Sequence, residues 1–314
     1  MPAKPRIAIS LGDPSGIGLE ITRAALAKKA VRAALTPIVF ADASVIIKGV
    51  EVRGVSQLAP KDRKPGKPTR EGGVAQLAYI LAAIEAAKGG QADGICTAPV
   101  SKEAIASTGL PFTGHTELLA EKFGAEVMML MRGPKLSVAL ATNHLPLAAV
   151  PRVLETPKLL RQLVFLDAQL KPLLGRRPTI AVCGLNPHAG DGGVLGKEEQ
   201  HVISPAIALA KRQGVKVSGP FAADGLFANT AARAPKFDVA LAMFHDQGLV
   251  ATKAVDFTRT VNVTLGLPVP RTSPDHGVAY DIAGKGLADP TPMVSALLEA
   301  AAQARARSRL KSRD

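Results

Sequence analysis

Six histidines stand in the 314-residue chain: His115, His144, His188, His201, His245 and His276. Three of them follow apolar runs that read as strands. His144 comes after LSVALATN, His188 after IAVCGLNP, and His245 after VALAMF. In an open parallel sheet the carboxyl ends of the strands form one rim, and ligands bind there. Three imidazoles delivered to that rim would match a catalytic metal arrangement, with three neutral nitrogen ligands and one position left for a substrate oxygen. One such histidine alone would be an ordinary surface or core residue, so it is the joint placement that points to chemistry. His201, inside KEEQHVISPAI, falls on a helical stretch and reads as surface.

The residues around these histidines extend the pattern. NPHAGDGG (186–193) and FHDQGLV (244–250) combine histidine, glycine and carboxylate, and glycine lets a backbone bend so that an imidazole faces the rim. RTSPDHG (271–277) joins a guanidinium, two hydroxyls and an Asp-His pair ahead of an expected helix. Arginine suits a bidentate grip on phosphate. GHTE (114–117) places His115 and Thr116 at a helix start, where capping and ligand binding are both open readings. GDPSGIGLEI (12–21) puts glycines between a strand and a helix, a place where backbone N–H groups can meet phosphates. Its spacing is not that of the dinucleotide fingerprint and it has no P-loop lysine, so a tight turn capped by Asp13 or Ser15 is an equal reading.

The elements that must position these groups alternate. Strands are expected at 6–12, 37–42, 94–99, 178–185, 239–244 and 259–268, with a pair within 127–142. Amphipathic or apolar helices are expected at 17–29, 71–88, 155–173 and 198–213, with two short helices after 268. Alternation of this kind implies βαβ units and a largely parallel sheet. The periodicity breaks near 143–157. The expected division is a first α/β domain of 1–145 plus about 285–314 and a second of about 146–284, with the last helix returning to the first domain.

Composition bounds the function classes. Hydrophobic residues at 47% supply a core, and charged residues at 21% without long polar tracts exclude disorder. Aromatics are only 4%, in keeping with parallel strands buried on both faces by aliphatic residues. Cys96 and Cys183, each in an apolar run, read as small buried hydrophobes in a reducing cytosol. No segment reaches the length of a membrane span and no secretory signal opens the chain, which points to a cytoplasmic protein without a membrane partner. The net charge of +13 is concentrated in KDRKPGKPTR (61–70) and RARSRLKSR (305–313), both expected to be solvated. Neither is interleaved with aromatics or joined to a nucleic-acid motif, so no nucleic-acid partner is expected.

Taken together, GDPSGIGLEI, TAPVSK (97–102), PFTGHTE (111–117), NHLPL (143–147), NPHAGDGG, AMFHDQG (242–248), VNVTLGLP (261–268) and RTSPDHG resemble, in order and spacing, the 4-hydroxythreonine-4-phosphate dehydrogenase family of pyridoxal-phosphate biosynthesis. Two departures are small: Leu19 stands where the family usually has proline, and Gly225 follows Asp224 where a hydroxyl residue is common. The resemblance implies a fold like that of the isocitrate and isopropylmalate dehydrogenases, two α/β domains with an active-site cleft between them. It implies a homodimer whose active site is shared between subunits. It implies metal ligands His144, His188 and His245 for zinc, with magnesium or cobalt as alternatives. The implied substrate contacts are His115, Thr116, Lys253, Asn262 and Arg271. The general base is left open between Asp246 and water on the metal, with Asp224 a second nearby carboxylate.

The implied reaction is NAD- or NADP-dependent oxidation of 4-phosphohydroxy-L-threonine, followed by loss of carbon dioxide to give 3-amino-2-oxopropyl phosphate. No residue can be assigned to the nicotinamide cofactor. Within the family, relatives that oxidise phosphorylated sugar acids such as threonate or erythronate phosphate remain an alternative. Those acting on aromatic dihydrodiols would leave Lys253, Asn262 and Arg271 without purpose. Outside it, a zinc-dependent phosphohydrolase and a basic nucleic-acid-binding module are the rival classes.

Overall fold

A computed structural model describes residues 3–228, 230 and 232–311. The chain divides into two compact units, Met1–Val127 with Val261–Asp314, and Met128–Thr260. The expected boundaries near 145 and 284 fall elsewhere than these. The hairpin read within 127–142 pairs with later strands of the second unit, and the 259–268 strand pairs inside the first.

In the first unit the strands are β1 (Arg6–Ser10), β2 (Thr36–Asp42), β3 (Glu51–Ser56), β4 (Gly94–Thr97), β10 (Val261–Leu265) and β11 (Arg271–Pro274). Their order is β3-β2-β1-β4-β11-β10, parallel except for the β10–β11 hairpin. The central strand β1 carries Ile7, Ala8 and Ile9 fully buried. Each large aliphatic side chain withdrawn this way contributes about 1.5–3 kcal/mol. The helix Arg70–Lys88 covers this sheet. Thr69 caps it by accepting from the Gly72 N–H, and Gly89 follows its last residue. The final helix, Thr291–Lys311, lays Met293, Ala296, Leu297, Ala300 and Ala301 against the sheet, and the buried Thr272 hydroxyl of β11 donates to its Ala296 carbonyl.

In the second unit β5 (Met128–Arg132), β6 (Ser137–Leu140), β7 (Thr179–Cys183), β8 (Lys216–Phe221) and β9 (Val239–Ala242) run in the order β5-β6-β9-β7-β8. Strands β6, β9, β7 and β8 are parallel, and β5 pairs antiparallel with β6. Met131, Val138, Leu140, Cys183, Ala240 and Ala242 form the core. The helices Thr156–Leu174 and Ser204–Arg212 flank it.

Three expectations are corrected. Strands β3 and β8 were not legible because each is the edge strand of its unit, carries a glycine and buries little, so neither shows a hydrophobic run. RTSPDHG does not lead into a helix: it begins as β11, and the stretch after residue 268 holds one long helix rather than two short ones. The basic segments are less solvated than expected. Asp62 is buried, and the Gly66 N–H and Lys67 carbonyl bond to Ser15. In the C-terminal helix, Arg305 and Arg307 donate to the carbonyls of Ala34 and Leu267.

Candidate functional site

The first unit gathers a buried cationic pocket. In the β10–β11 hairpin, Asn262 pairs with Ser273 and Thr264 with Arg271. Side chains two apart on a strand share a face, so Asn262, Thr264, Arg271 and Ser273 all project to one side. Arg271 is 2% exposed. Its guanidinium donates to the hydroxyls of Thr264 (3.1 Å) and Thr97, the last residue of β4 (2.6 Å). Its Nε is buried without a partner. Burial lowers the Arg271 pKa to about 10, opposed by the nearby Cys96 and Glu117, so the group remains a cation at neutral pH. The guanidinium is hydrogen-bonded only to neutral hydroxyls, and with Glu117 acting from a distance it has no anion in direct contact to offset its desolvation.

His115 opens the helix His115–Phe123 after Gly114, with its ring edge-on to Phe112 at 5.8 Å. The residue is half-buried, but its Nε2 is closed off from solvent and has no partner. Burial, with Arg271 and Lys102 nearby, holds its pKa well below 6.5, so the imidazole is neutral. Thr116 follows on the same first turn. Asn262 also has a buried, unpartnered Oδ1. Three of the four substrate residues expected here thus present unsatisfied polar atoms, the condition of a pocket built for a polar ligand.

The GDPSGIG loop resolves toward the turn. Asp13 is buried, and its carboxylate accepts from the Ser15 N–H (2.7 Å), Gln76 Nε2 (3.0 Å) and the Tyr280 hydroxyl (2.6 Å). The N–H groups of Asp13, Gly16 and Ile17 donate to Pro99, Asp13 and Val278 carbonyls. These donors are spent inside the unit, so they do not form an anion cradle. At Gly12, φ is +75° and a Cβ would stand 2.2 Å from the Pro99 oxygen, so only glycine serves there.

The second unit presents the histidines. Two bonds tie the ends of β6 and β9: Ala141 N–H to the Ala242 carbonyl (2.8 Å) and the Thr142 hydroxyl to the Met243 carbonyl (2.7 Å). His144 and His245 just beyond are thereby brought together, ring centroids 5.5 Å apart. His245 opens the helix His245–Asp256, and its Nδ1 lies 2.7 Å from Asp246 Oδ1. A carboxylate on Nδ1 leaves Nε2 available to a ligand. Gln247 locks this helix start to the end of β7, accepting from the Met243 N–H and donating to the Gly184 carbonyl.

His188 lies beyond β7, beside β9 in the sheet, and shares a cavity of about 640 Å³ with Asn186, Asp224, Phe244, Gln247 and Leu147. Lys253, exposed farther along the His245 helix, has its Nζ 5.9 Å from the centre of the Phe257 ring. The donor chemistry of the trio suits a divalent ion, and two of the imidazoles are already side by side. Among the described residues, however, no three His, Cys, Asp or Glu side chains stand together as a metal-holding group. Burial pushes both cysteine thiols up to about 12, so neither offers a thiolate.

Sequence reasoning missed the hydroxyls of Thr97 and Thr264 that hold Arg271. Thr97 lay in the quoted TAPVSK motif, and Thr264 could have been found from the two-residue period of β10. It also missed the Glu199 carboxylate described below.

A family model described as pyridoxal phosphate biosynthetic protein PdxA matches residues 17–300. The chain belongs to the PdxA family. It is 41% identical over 328 residues to the 4-hydroxythreonine-4-phosphate dehydrogenase of Geobacter metallireducens, covering 96% of each chain. Among solved structures, the 4-hydroxythreonine-4-phosphate dehydrogenase of Klebsiella pneumoniae has a TM-score of 0.80 at 32% identity, covering 96% of this chain and 99% of that one. Isocitrate dehydrogenase from Methylococcus capsulatus shares the fold at a TM-score of 0.52 and 18% identity, over 98% of this chain and 89% of that one. The expected α/β class, like that of isocitrate dehydrogenase, is therefore the observed one.

Proposed function

We propose that this PdxA-family chain oxidises 4-phosphohydroxy-L-threonine to 2-amino-3-oxo-4-(phosphooxy)butanoate with NAD or NADP, the product then losing carbon dioxide to give 3-amino-2-oxopropyl phosphate. The observation that carries the reading is Arg271. A desolvated guanidinium with a vacant Nε, beside a neutral His115, has an anion as its natural complement. A dihydrodiol of an aromatic acid offers only carboxylates, whereas a phosphorylated hydroxy acid also offers a phosphate, the anion a guanidinium grips best.

Arg271 and Lys253 supply charge to the substrate's anionic groups, and Asn262, His115 and Thr116 add directional hydrogen bonds. His144, His188 and His245 would hold the divalent ion, zinc or alternatively magnesium or cobalt. When bound, that ion supplies Lewis-acid polarisation of the substrate hydroxyl and of the ketone that replaces it. The nicotinamide, when bound, would supply the hydride acceptor, and loss of the hydroxyl proton then requires a base on this chain. Asp246 is our candidate for that base, supported by a side chain that is 80% exposed and has one oxygen on His245. The ketone lies β to the carboxylate, which is what permits decarboxylation.

A homodimer with a shared active site is part of this reading. The segments bearing the histidines also expose Leu147 (66%), Val194 (80%) and Val250 (65%), apolar surface of the kind a second copy would cover. Among the described residues His144 and His245 stand side by side, and no third His, Cys, Asp or Glu completes a metal-holding group with them. The buried, reduced cysteines and the metabolic character of the relatives favour the cytoplasm.

The test is absorbance of reduced nicotinamide with the phosphorylated amino acid, a divalent metal, and NAD or NADP, with and without chelator. A metal-dependent rise is expected. A rise with phosphothreonate alone would move the chain to the sugar-acid branch, and inorganic phosphate release without cofactor would replace the dehydrogenase reading with the phosphohydrolase one.

A further inference from the structure

His188 sits in an unusual piece of backbone. Five consecutive residues, His188, Ala189, Gly190, Asp191 and Gly192, have φ of 53°, 53°, 81°, 44° and 63°. This is a full left-handed turn, a conformation that is strained for each of its non-glycine residues. Such a turn persists only if its surroundings over-determine it. The surroundings are supplied chiefly by one side chain. Glu199, 3% exposed, accepts at Oε1 from the N–H groups of Leu185 (2.7 Å) and Asn186 (2.8 Å), and at Oε2 from Asn186 Nδ2 (3.0 Å).

The same carboxylate fills the space inside the turn. A Cβ on Gly190 would stand 2.6 Å from Glu199 Oε2, and one on Gly184 would stand 3.0 Å from Oε1. Asn186 also donates to Glu198, and Gln200 Nε2 donates to the Gly192 carbonyl at the turn's far end (2.8 Å). Glu199 itself opens a single π-turn, Glu199–Ile203, leading into the helix Ser204–Arg212. Single π-turns within helices recur at functional sites. The Glu-Glu-Gln run therefore grips the loop at three successive positions.

We propose that Glu199 is the positioning residue that sets the left-handed turn and, through it, the direction of the His188 imidazole. The proposal rests on the reading of His188 as a metal ligand. Glu199 does not touch the ion; it acts on where His188 points. Groups that orient a ligand in this indirect way typically change metal affinity 10–100-fold when removed. Glu199→Gln is the informative variant, because its amide can keep the two backbone contacts but presents a donor to Asn186 Nδ2 and to the packed Gly190.

The experiment is titration of the full-length protein with Co²⁺, read by its visible absorption, with thermal melting in parallel. Wild type, Glu199→Gln and His188→Ala are compared. Expected are a 10–100-fold loss of Co²⁺ affinity and an altered visible band in Glu199→Gln at temperatures where it is fully folded. Wild-type affinity and band in folded Glu199→Gln, with binding lost in His188→Ala, would overturn the proposal and leave the ligand reading intact. Wild-type binding in His188→Ala would overturn the ligand reading itself. Should Glu199→Gln not fold, Asn186→Ala, which removes one arm of the grip, is expected to weaken Co²⁺ binding by a smaller factor, and unchanged affinity there would overturn the proposal.

Discussion

The two units solve the same problem, presenting polar side chains to a ligand, in opposite ways. In the first, Arg271 and His115 are drawn out of water, and their chemistry comes from what burial denies them: a counter-charge for the guanidinium and a partner for Nε2. In the second, His144 and His188 are exposed, His245 is half-buried, and their chemistry comes from where the strand ends put them. A buried pocket couples function to stability, because the same atoms carry both. An exposed rim separates the two.

The sharpest break of that comparison would come from the rim. His188→Ala and His245→Ala should each lower turnover roughly a thousandfold, the several kcal/mol a metal's charge stabilisation supplies. The melting temperature should move by only a few degrees, because surface positions contribute within about 0.5 kcal/mol. A variant that melts much earlier would show that the rim is structural after all.

The pocket should behave otherwise. Arg271→Met should raise the KM for the phosphorylated substrate about 10- to 100-fold, from about 1.5–3 kcal/mol per charged hydrogen bond. Because removing a desolvated charge in favour of a matching apolar side chain is often neutral or stabilising, its melting temperature should hold or rise. Steady-state kinetics and calorimetry on one preparation would settle both, and an unchanged KM would remove the anion from the pocket.

Asp13→Asn probes the loop that could have been taken for a cofactor cradle. It should cost about 1–3 kcal/mol of stability, since an amide cannot accept from all three donors. The KM for the nicotinamide cofactor should not change, and a cofactor-specific rise there would restore the loop to the binding site.

The smallest effect is the pH response of His115. Its folded pKa lies below the unfolded value of 6.5, so the unfolded chain takes up the proton first as pH falls. The stabilising difference is complete above about pH 6.5 and is lost below it, by up to about 1.4 kcal/mol per pH unit for one proton. Denaturant melts between pH 7 and 5 should be flatter in His115→Gln than in wild type by that slope. Equal slopes would place the His115 ring in water.

Much of this molecule was legible in its residues. Burying a strand on both faces demands aliphatic runs, so β1, β4, β7 and β9 announced themselves, and with them the strand ends that carry His188 and His245. The helix Arg70–Lys88 was bounded by Thr69 and by Gly89. The strands β3, β8 and β11 were not legible, because edge position or a polar pocket face replaces the hydrophobic pattern that burial would otherwise require. The sequence alone determined the α/β class and the family, since these follow from local periodicity and motif order. Only the tertiary structure decided that Arg271 is desolvated between Thr97 and Thr264, that the GDPSGIG donors are spent on Asp13, Pro99 and Val278, and that Glu199 underlies the His188 turn. Each of these depends on strands or loops distant in the chain meeting at hydrogen-bond distance, and no local pattern encodes that meeting.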